Sequence, residues 1–290
     1  MAEELRDQIK QKILHGIETL PSLSPAVEKL LTLGNDQTVT PKDLIEVIRT
    51  DPILTLKILK LVNSSYFSLN HKVTSLNRAL ILLGFNTIKN IALSTELVKV
   101  TEGSPHNKYF NYQQLWEHMV SVGATGRYIA KETGKPRKNL EEYFIAGLTH
   151  DIGDFLLMRF ATEEYHRIHS FAEQKNISLQ KCTTQVFGFS SSEMGGVLAN
   201  RWNLQDEIQD VITSFHLNDP ENSSLVQTVR IADRFCRKNN LGYVCDQHNI
   251  ELDQDILDPL GLDGKFFEAH EESILEEIEN SKVFISSNKK

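Results

Sequence analysis

His118, the adjacent pair His150 and Asp151, and Asp233 are the side chains whose types and spacing could do chemistry. Two imidazoles and two carboxylates suit a divalent cation such as Mn²⁺, Fe²⁺ or Zn²⁺, with coordination positions left open for water or phosphate oxygens. Their places on helical apolar stripes point them inward. His118 lies three residues after Leu115 and four before Val122; Asp151 lies three after Leu148 and four before Phe155. Asp233 follows Val229 by four and precedes Cys236 by three, which is again the core side. Groups of this kind buried without partners cost several kcal/mol, so they are neutralised, hydrogen-bonded or bound to a cation. Taken singly, each is also readable as a helix-capping or core-satisfied polar residue. Four in this order, with a contiguous His-Asp, carry more weight than any one.

The elements that must position them read as helices. Apolar residues recur at intervals of three and four along most of the chain, and strand-like alternation is hard to find, so the expected fold class is all-α. An amphipathic segment runs from Leu5 to Ile17, and a second from Ala26 to Leu33 ends at Gly34. Thr40, Pro41 and Asp43 make a helix start, with a capping hydroxyl, a proline at the first position and a carboxylate in the first turn. Asp51 and Pro52 repeat the device. The apolar set Ile53, Leu54, Leu56, Ile58, Leu59 and Leu61 is broad enough to predict a helix lying largely inside. Leu76 to Leu83 forms another, stopped by Gly84. A polar stretch from Thr101 to Gln114 is the expected boundary between two helical halves. Beyond it, helices are predicted at 113–132, 139–158, 162–175, 190–201, 205–217 and 223–238. An acidic amphipathic helix around Phe266 to Glu279 closes the chain, and its last residues should fray. The expected organisation is an amino-terminal helix at 1–17, helical halves at 18–105 and 106–240, and an acidic extension at 241–290.

Composition excludes several classes. With 290 residues, 40% of them hydrophobic, the chain can bury one large core or two smaller ones and is not a disordered protein. Lys plus Arg number 31 against 39 Asp plus Glu, a net charge of −8, and no basic run exceeds a pair. Sequence-independent binding to a nucleic-acid backbone is therefore disfavoured. No uncharged apolar run approaches the ~20 residues that span a bilayer, so no membrane partner is expected. Cys182, Cys236 and Cys245 show no CxxC spacing, and the expected compartment is reducing cytoplasm.

The pattern "HxxxV … AGLTHDIG … IADR", which contains the four residues above, resembles the HD superfamily of metal-dependent phosphohydrolases. The segments "LPSLSPAVEKLL", "LIEVIRTDPILTLKILKLVNSSYFSL" and "VTSLNRALILLGFNTIKNIAL" are similar to the HDOD family, the HD-related output domain of bacterial signalling proteins. With "LWEHMVSVG", "FGFSSSEMGGVLANRWNL" and "IQDVITSFH", the resemblance covers about residues 18 to 240. It implies an amino-terminal helical bundle packed on a degenerate HD-domain bundle. It also implies that His118, His150, Asp151 and Asp233 match the metal-holding positions of active relatives, with Asp151 the catalytic candidate if the chain is an enzyme. Three positions depart from the active pattern. Ser191 stands where relatives carry His, Leu217 replaces the second His of a pair beginning at His216, and Asp154 replaces the Lys of an "HDIGK" motif. That last exchange puts an anion where a cation would meet a phosphate.

Other features read as structural. His166 and His169 form a solvated pair beside Glu163 and Glu164, with metal binding the alternative. Asn63, Tyr66 and Phe67 mark a helix break, or else line a cleft or partner surface. Cys182 is a small core residue. The leading expectation is a non-catalytic signal-transduction protein whose HD-like pocket takes a divalent metal (Fe, Mn or Zn) or a nucleotide. Its partner would be a signalling protein or a small nucleotide ligand. The alternative is a metal-dependent phosphohydrolase or phosphodiesterase acting on a phosphoester.

Overall fold

The structure, a computed structural model, describes residues 2–33, 39–102, 108–217, 219, 221–242, 246, 248 and 250–286. The expected turn at Gly34, positions 103–107 of the expected boundary stretch, Cys245 and the end of the fraying tail lie outside them. Helices account for the regular structure of the described residues, and no strand forms among them. The first five are α1 (Ala2–Thr19), α2 (Pro25–Leu33), α3 (Pro41–Arg49), α4 (Pro52–Val62) and α5 (Leu76–Glu102). The next six are α6 (Tyr112–Glu132), α7 (Leu140–Thr149), α8 (Ile152–Phe160), α9 (Thr162–Lys175), α10 (Leu179–Phe187) and α11 (Ser191–Arg201). There follow α12 (Asp206–Ser214), α13 (Ser224–Lys238), α14 (Gln254–Leu257), α15 (Gly264–Ser281) and α16 (Val283–Ser286). No helix among the described residues is long and apolar enough to cross a membrane.

The predicted starts are built as their residue types require. At α3, Asp43 N–H donates to Thr40 Oγ1, and Thr40 N–H donates back to Asp43 Oδ2 at 2.8 Å, a reciprocal cap worth about 1 kcal/mol. At α4, Asp51 Oδ1 accepts from Leu54 N–H at 2.9 Å. The α4 helix does not lie largely inside, however. Leu54, Ile58, Leu61 and Val62 are buried against neighbouring helices, while Ile53 and Leu56 are 67% and 69% exposed. Asn63 ends it by donating to the carbonyls of Leu59 and Val73 and accepting from Val73 N–H, so its role here is to shape the break.

Several helical segments differ from expectation, among them the short α14 and α16, neither of them expected. Gly84, at φ 80 and ψ 170, does interrupt α5, but the chain resumes helix immediately and runs on to Glu102. Helix α10, not expected, carries its signals in Ser178, whose side chain accepts from Lys181 N–H, and in Gly188, left-handed just past its end. The expected 139–158 helix is two helices, because the chain turns at His150 and Asp151, the latter at φ −98 and ψ 18.

Buried apolar side chains from Ile9 to Phe284 form one contiguous cluster. Helices α2 to α5 pack on one another, whereas α1 crosses to α8, α10 and α11. The Arg6 guanidinium ties α1 there by donating to the carbonyls of Gln185 and Val186 at 2.7 and 2.9 Å. In the second half α6 is central, flanked by α7, α13 and α15. The acidic helix α15 keeps Glu271, Glu272, Glu276 and Glu279 in solvent and buries Phe267, Ile274 and Ile278.

Candidate metal centre

Close approach of α6 and α7 is what brings the first three residues together. A Cβ at Gly147 would sit 2.6 Å from the Cα of Gly123, and one at Gly123 would sit 2.6 Å from Phe144 O. Only hydrogens fit between these backbones, so His118 on α6 and the His150–Asp151 turn after α7 meet at one depth. Helix α13 packs on both and adds Asp233. The chain leaving α13 then crosses α6 at Gly242, whose φ of +81 and whose Cβ position 2.4 Å from His118 N both demand glycine. That crossing places Leu241 O against the His118 ring.

Both imidazoles are oriented by their Nδ1 atoms. His118 Nδ1 lies 3.1 Å from Leu241 O and His150 Nδ1 lies 2.6 Å from Gly147 O. A carbonyl can only accept, so both Nδ1 atoms carry protons and both Nε2 atoms face the cluster interior. His118 Nε2 is 3.2 Å from Asp233 Oδ1 and 3.8 Å from Asp151 Oδ2. His150 Nε2 is 3.3 Å from Asp151 Oδ2 and 3.7 Å from Asp233 Oδ1, yet it makes no well-formed hydrogen bond. The four residues are 1%, 2%, 7% and 4% exposed in the order His118, His150, Asp151, Asp233.

Neutral imidazole Nε2 lone pairs facing carboxylate oxygens repel each other, so the arrangement requires a positive charge between them. Without a metal, that charge is a proton. Burial alone would lower the His150 pKa, but Asp151 and Asp233 override it and raise it to about 10. Burial would raise Asp151, and the His150 charge instead holds it down at about 2. Asp233 stays well below the usual carboxylate range against its burial, mainly through Arg237, whose Nη2 lies 2.8 Å from Asp233 Oδ2. A divalent cation would do the same work while displacing the imidazolium proton. The orphaned Nε2 of His150 and the carbonyl-anchored Nδ1 atoms are the outer arrangement that ligating histidines show. Ligand-type atoms of His118, His150 and Asp151 lie within 4.8 Å of one another and Asp233 Oδ1 meets both imidazoles, so this donor set fits a metal.

Asp154, read from the sequence as an anion in the place of a cation, lies buried on α8. It is 6% exposed, its Oδ1 accepts from the Tyr165 hydroxyl, and the Ser191 side chain borders it. Burial, and then the Asp151 charge, push its pKa up to about 8. Ligand-type atoms of Asp151, Asp154 and His216 lie within 4.8 Å of one another, as do those of His118, His150 and Asp151. Burial keeps His216 neutral, lowering its pKa to about 4. Ser191 donates to Gln180 Oε1 at 2.9 Å, and Leu217 is 57% exposed.

The remaining candidates lie elsewhere. His166 and His169 are half-buried; His166 stacks on Tyr109 at 4.1 Å, and His169 meets the edge of Phe110. These histidines turn toward the aromatic residues preceding α6 and belong to neither donor group. Tyr66 and Phe67 are buried, with Tyr66 donating to Glu141 Oε2 at 3.1 Å. Cys182 is a core residue, 2% exposed.

The HDOD domain family model matches residues 20–217. A solved HDOD domain protein of unknown function from Geobacter sulfurreducens is 24% identical and superposes with a TM-score of 0.75, covering 97% of this chain and 98% of that one. A Shewanella amazonensis SB2B structure, described as a candidate phosphohydrolase, is 21% identical with a TM-score of 0.70, over 94% and 98% of the two chains. A Marinobacter aquaeolei VT8 structure, described as a candidate signal transduction protein, is 16% identical with a TM-score of 0.70, over 97% and 65%. An uncharacterised protein of Treponema pallidum (strain Nichols) is 25% identical over 234 residues, 79% of this chain but 44% of that protein's length.

Proposed function

This chain belongs to the HDOD family, and from that premise we propose that it is a metal-binding signal-transduction protein whose HD-like half holds a divalent cation on His118, His150, Asp151 and Asp233. The observation that carries the reading is the pair of inward Nε2 atoms facing two carboxylates, each ring anchored by a carbonyl behind it. A bound Mn²⁺, Fe²⁺ or Zn²⁺ would supply a Lewis acid and an activated water. The protein's own residues do the rest. Leu241 O and Gly147 O fix the ring tautomers, Arg237 holds the second oxygen of Asp233, and burial excludes bulk water. A ligand that binds one arrangement of the two helical halves more tightly shifts the population toward it, and that shift is the signal a partner protein reads. Elemental analysis of purified protein tests the reading. Near-stoichiometric metal in the wild type, lost in His150→Ala/Asp151→Ala at matched circular dichroism, supports it.

A second reading, a metal-dependent phosphohydrolase, is favoured by the complete four-residue donor set and by the description of the Shewanella amazonensis structure. It requires turnover of a phosphoester that the added metal restores and Asp151→Ala abolishes. Asp154 in the place of a phosphate-facing cation weighs against it.

A further inference from the structure

We propose that a cavity between the two helical halves, at Gly84, binds a phosphate group, free or carried on a small organic molecule. The cavity has a volume of about 280 Å³. Gly84 and Thr87 of α5 line one side, Arg137, Lys138 and Glu141 of the second half line the other, and Phe67 and Leu82 add apolar wall. It lies beside the Arg127 end of α6, and none of His118, His150, Asp151 and Asp233 lines it. The site therefore stands whether or not those four residues hold a metal.

Three features of the wall point to a compact anion. Gly84 breaks α5 and the chain resumes helix to Glu102, so the positive dipole end of a helix of several turns opens at the cavity. A Cβ built at Gly84 would meet nothing within 4 Å, which leaves the backbone there open to an approaching group. The second feature is Thr87, which lines the cavity, is 5% exposed and has no hydrogen-bond partner among the described residues. Thr149, Thr183 and Thr228, in unbroken helices, each donate to the carbonyl four residues back. For Thr87 that carbonyl belongs to Leu83, and the break at Gly84 takes it away. A buried hydroxyl left alone costs stability, and a phosphate oxygen satisfies it. The third feature is the pair Arg137 and Lys138, both exposed, with no hydrogen bond and no ion pair within 4.0 Å among the described residues. Glu141 does not answer them, because Arg127 and Tyr66 already hold its two oxygens. A guanidinium, an ammonium, a hydroxyl and a helix end are together the donors that a phosphate dianion takes. Phe67 and Leu82 give an attached organic body a surface to lie on. Since the donors come from both halves, a bound phosphate holds the halves in one arrangement; that consequence, unlike the binding, rests on the signalling reading.

Isothermal titration calorimetry of the metal-free full chain with inorganic phosphate and with adenosine monophosphate, at constant ionic strength, provides the test. One saturable site per chain is expected. Tighter binding of adenosine monophosphate identifies a phosphorylated molecule as the occupant, and equal or tighter binding of inorganic phosphate identifies the free ion. Arg137→Ala/Lys138→Ala should weaken binding by about 10–100-fold and Thr87→Val by about tenfold. The first changes exposed residues and the second puts a methyl in place of an unpaired hydroxyl, so both should fold. His150→Ala/Asp151→Ala should bind as the wild type does. No saturable binding of either probe overturns the proposal. An unchanged affinity in Thr87→Val also overturns it, since a diffuse attraction to surface charge needs no buried donor. Binding that only His150→Ala/Asp151→Ala removes places the phosphate at the His118 cluster, and overturns the proposal while leaving the metal reading standing.

Discussion

Helix α6 carries two buried polar clusters, one at His118 and one at Arg127, separated by about 14 Å of helix. At Arg127 every charge is answered. Its Nε donates to Glu141 Oε1 at 2.9 Å, its Nη1 donates to Glu277, its Cζ lies 4.5 Å from the centroid of the Tyr66 ring, and Tyr66 donates to the other oxygen of Glu141. These four residues tie the turn after α4 to α6, α7 and α15, so the cluster is a joint between distant parts of the chain. At His118 the polar atoms also converge, but two nitrogen lone pairs and two carboxylates point at one another and leave His150 Nε2 without a hydrogen bond. The joint is the less buried of the two, with Arg127 and Glu277 half-buried, yet it is the one the protein satisfies. What separates a joint from a ligand site is whether the protein alone completes it.

Breaking the joint should cost most. Arg127→Met leaves Glu141 buried and uncompensated and should destabilise the fold by about 3–5 kcal/mol in urea unfolding. Arg127→Met/Glu141→Gln should recover part of that loss. Metal content per folded molecule should be unchanged in both, and its loss would erase the distinction between the clusters. Gly147→Ala is next. Its Cβ would drive α7 off α6 at Gly123, costing about 1–3 kcal/mol and lowering metal content as well, because the same contact positions His118 against Asp151. Arg237→Met removes the outer support of Asp233, together with the Nη1 bonds to the carbonyls of Asp246 and His248, and should weaken metal binding by about 10–100-fold in competition with a chelator.

The pH response sharpens the comparison further. In metal-free protein Asp154 titrates near 8 when folded, against an ordinary value of 3.8. The folded state therefore binds more protons than the unfolded state between these values, and this group's contribution to stability falls as pH rises from about 4 to 8. The slope is at most about 1.4 kcal/mol per pH unit for one proton. Asp154→Asn should flatten it, and saturating Mn²⁺ should reduce it in the wild type. Equal slopes in all three samples would show that Asp154 carries no such burden.

The two clusters also differ in how far they can be read in the sequence. His118, His150, Asp151 and Asp233 were legible because each sits on an apolar stripe of its own segment and two of them are adjacent. The Arg127 joint was not legible. Arg127, Glu141 and Glu277 are ordinary charged residues whose partners lie 14 and 150 positions away, and no local pattern reports such a pairing. Helix periodicity recovered most elements but ran 139–158 together, since the inward direction of Asp151 is the same whether the helix continues or turns. Helix α10 was missed although Ser178 and Gly188 bracket it. Asp154 was read from its own charge alone, whereas its role depends on Tyr165, Ser191 and Asp151, which the fold brings to it.

The central claim is that the His118 cluster is completed by a metal, and metal content of protein purified without added metal or a histidine tag tests it most directly. Near-stoichiometric Mn, Fe or Zn in the wild type and in Arg127→Met, absent from His150→Ala/Asp151→Ala at matched circular dichroism, is the predicted result. Wild-type protein that stays metal-free after incubation with each ion would contradict the account and make the His118 cluster a second joint, held by a proton.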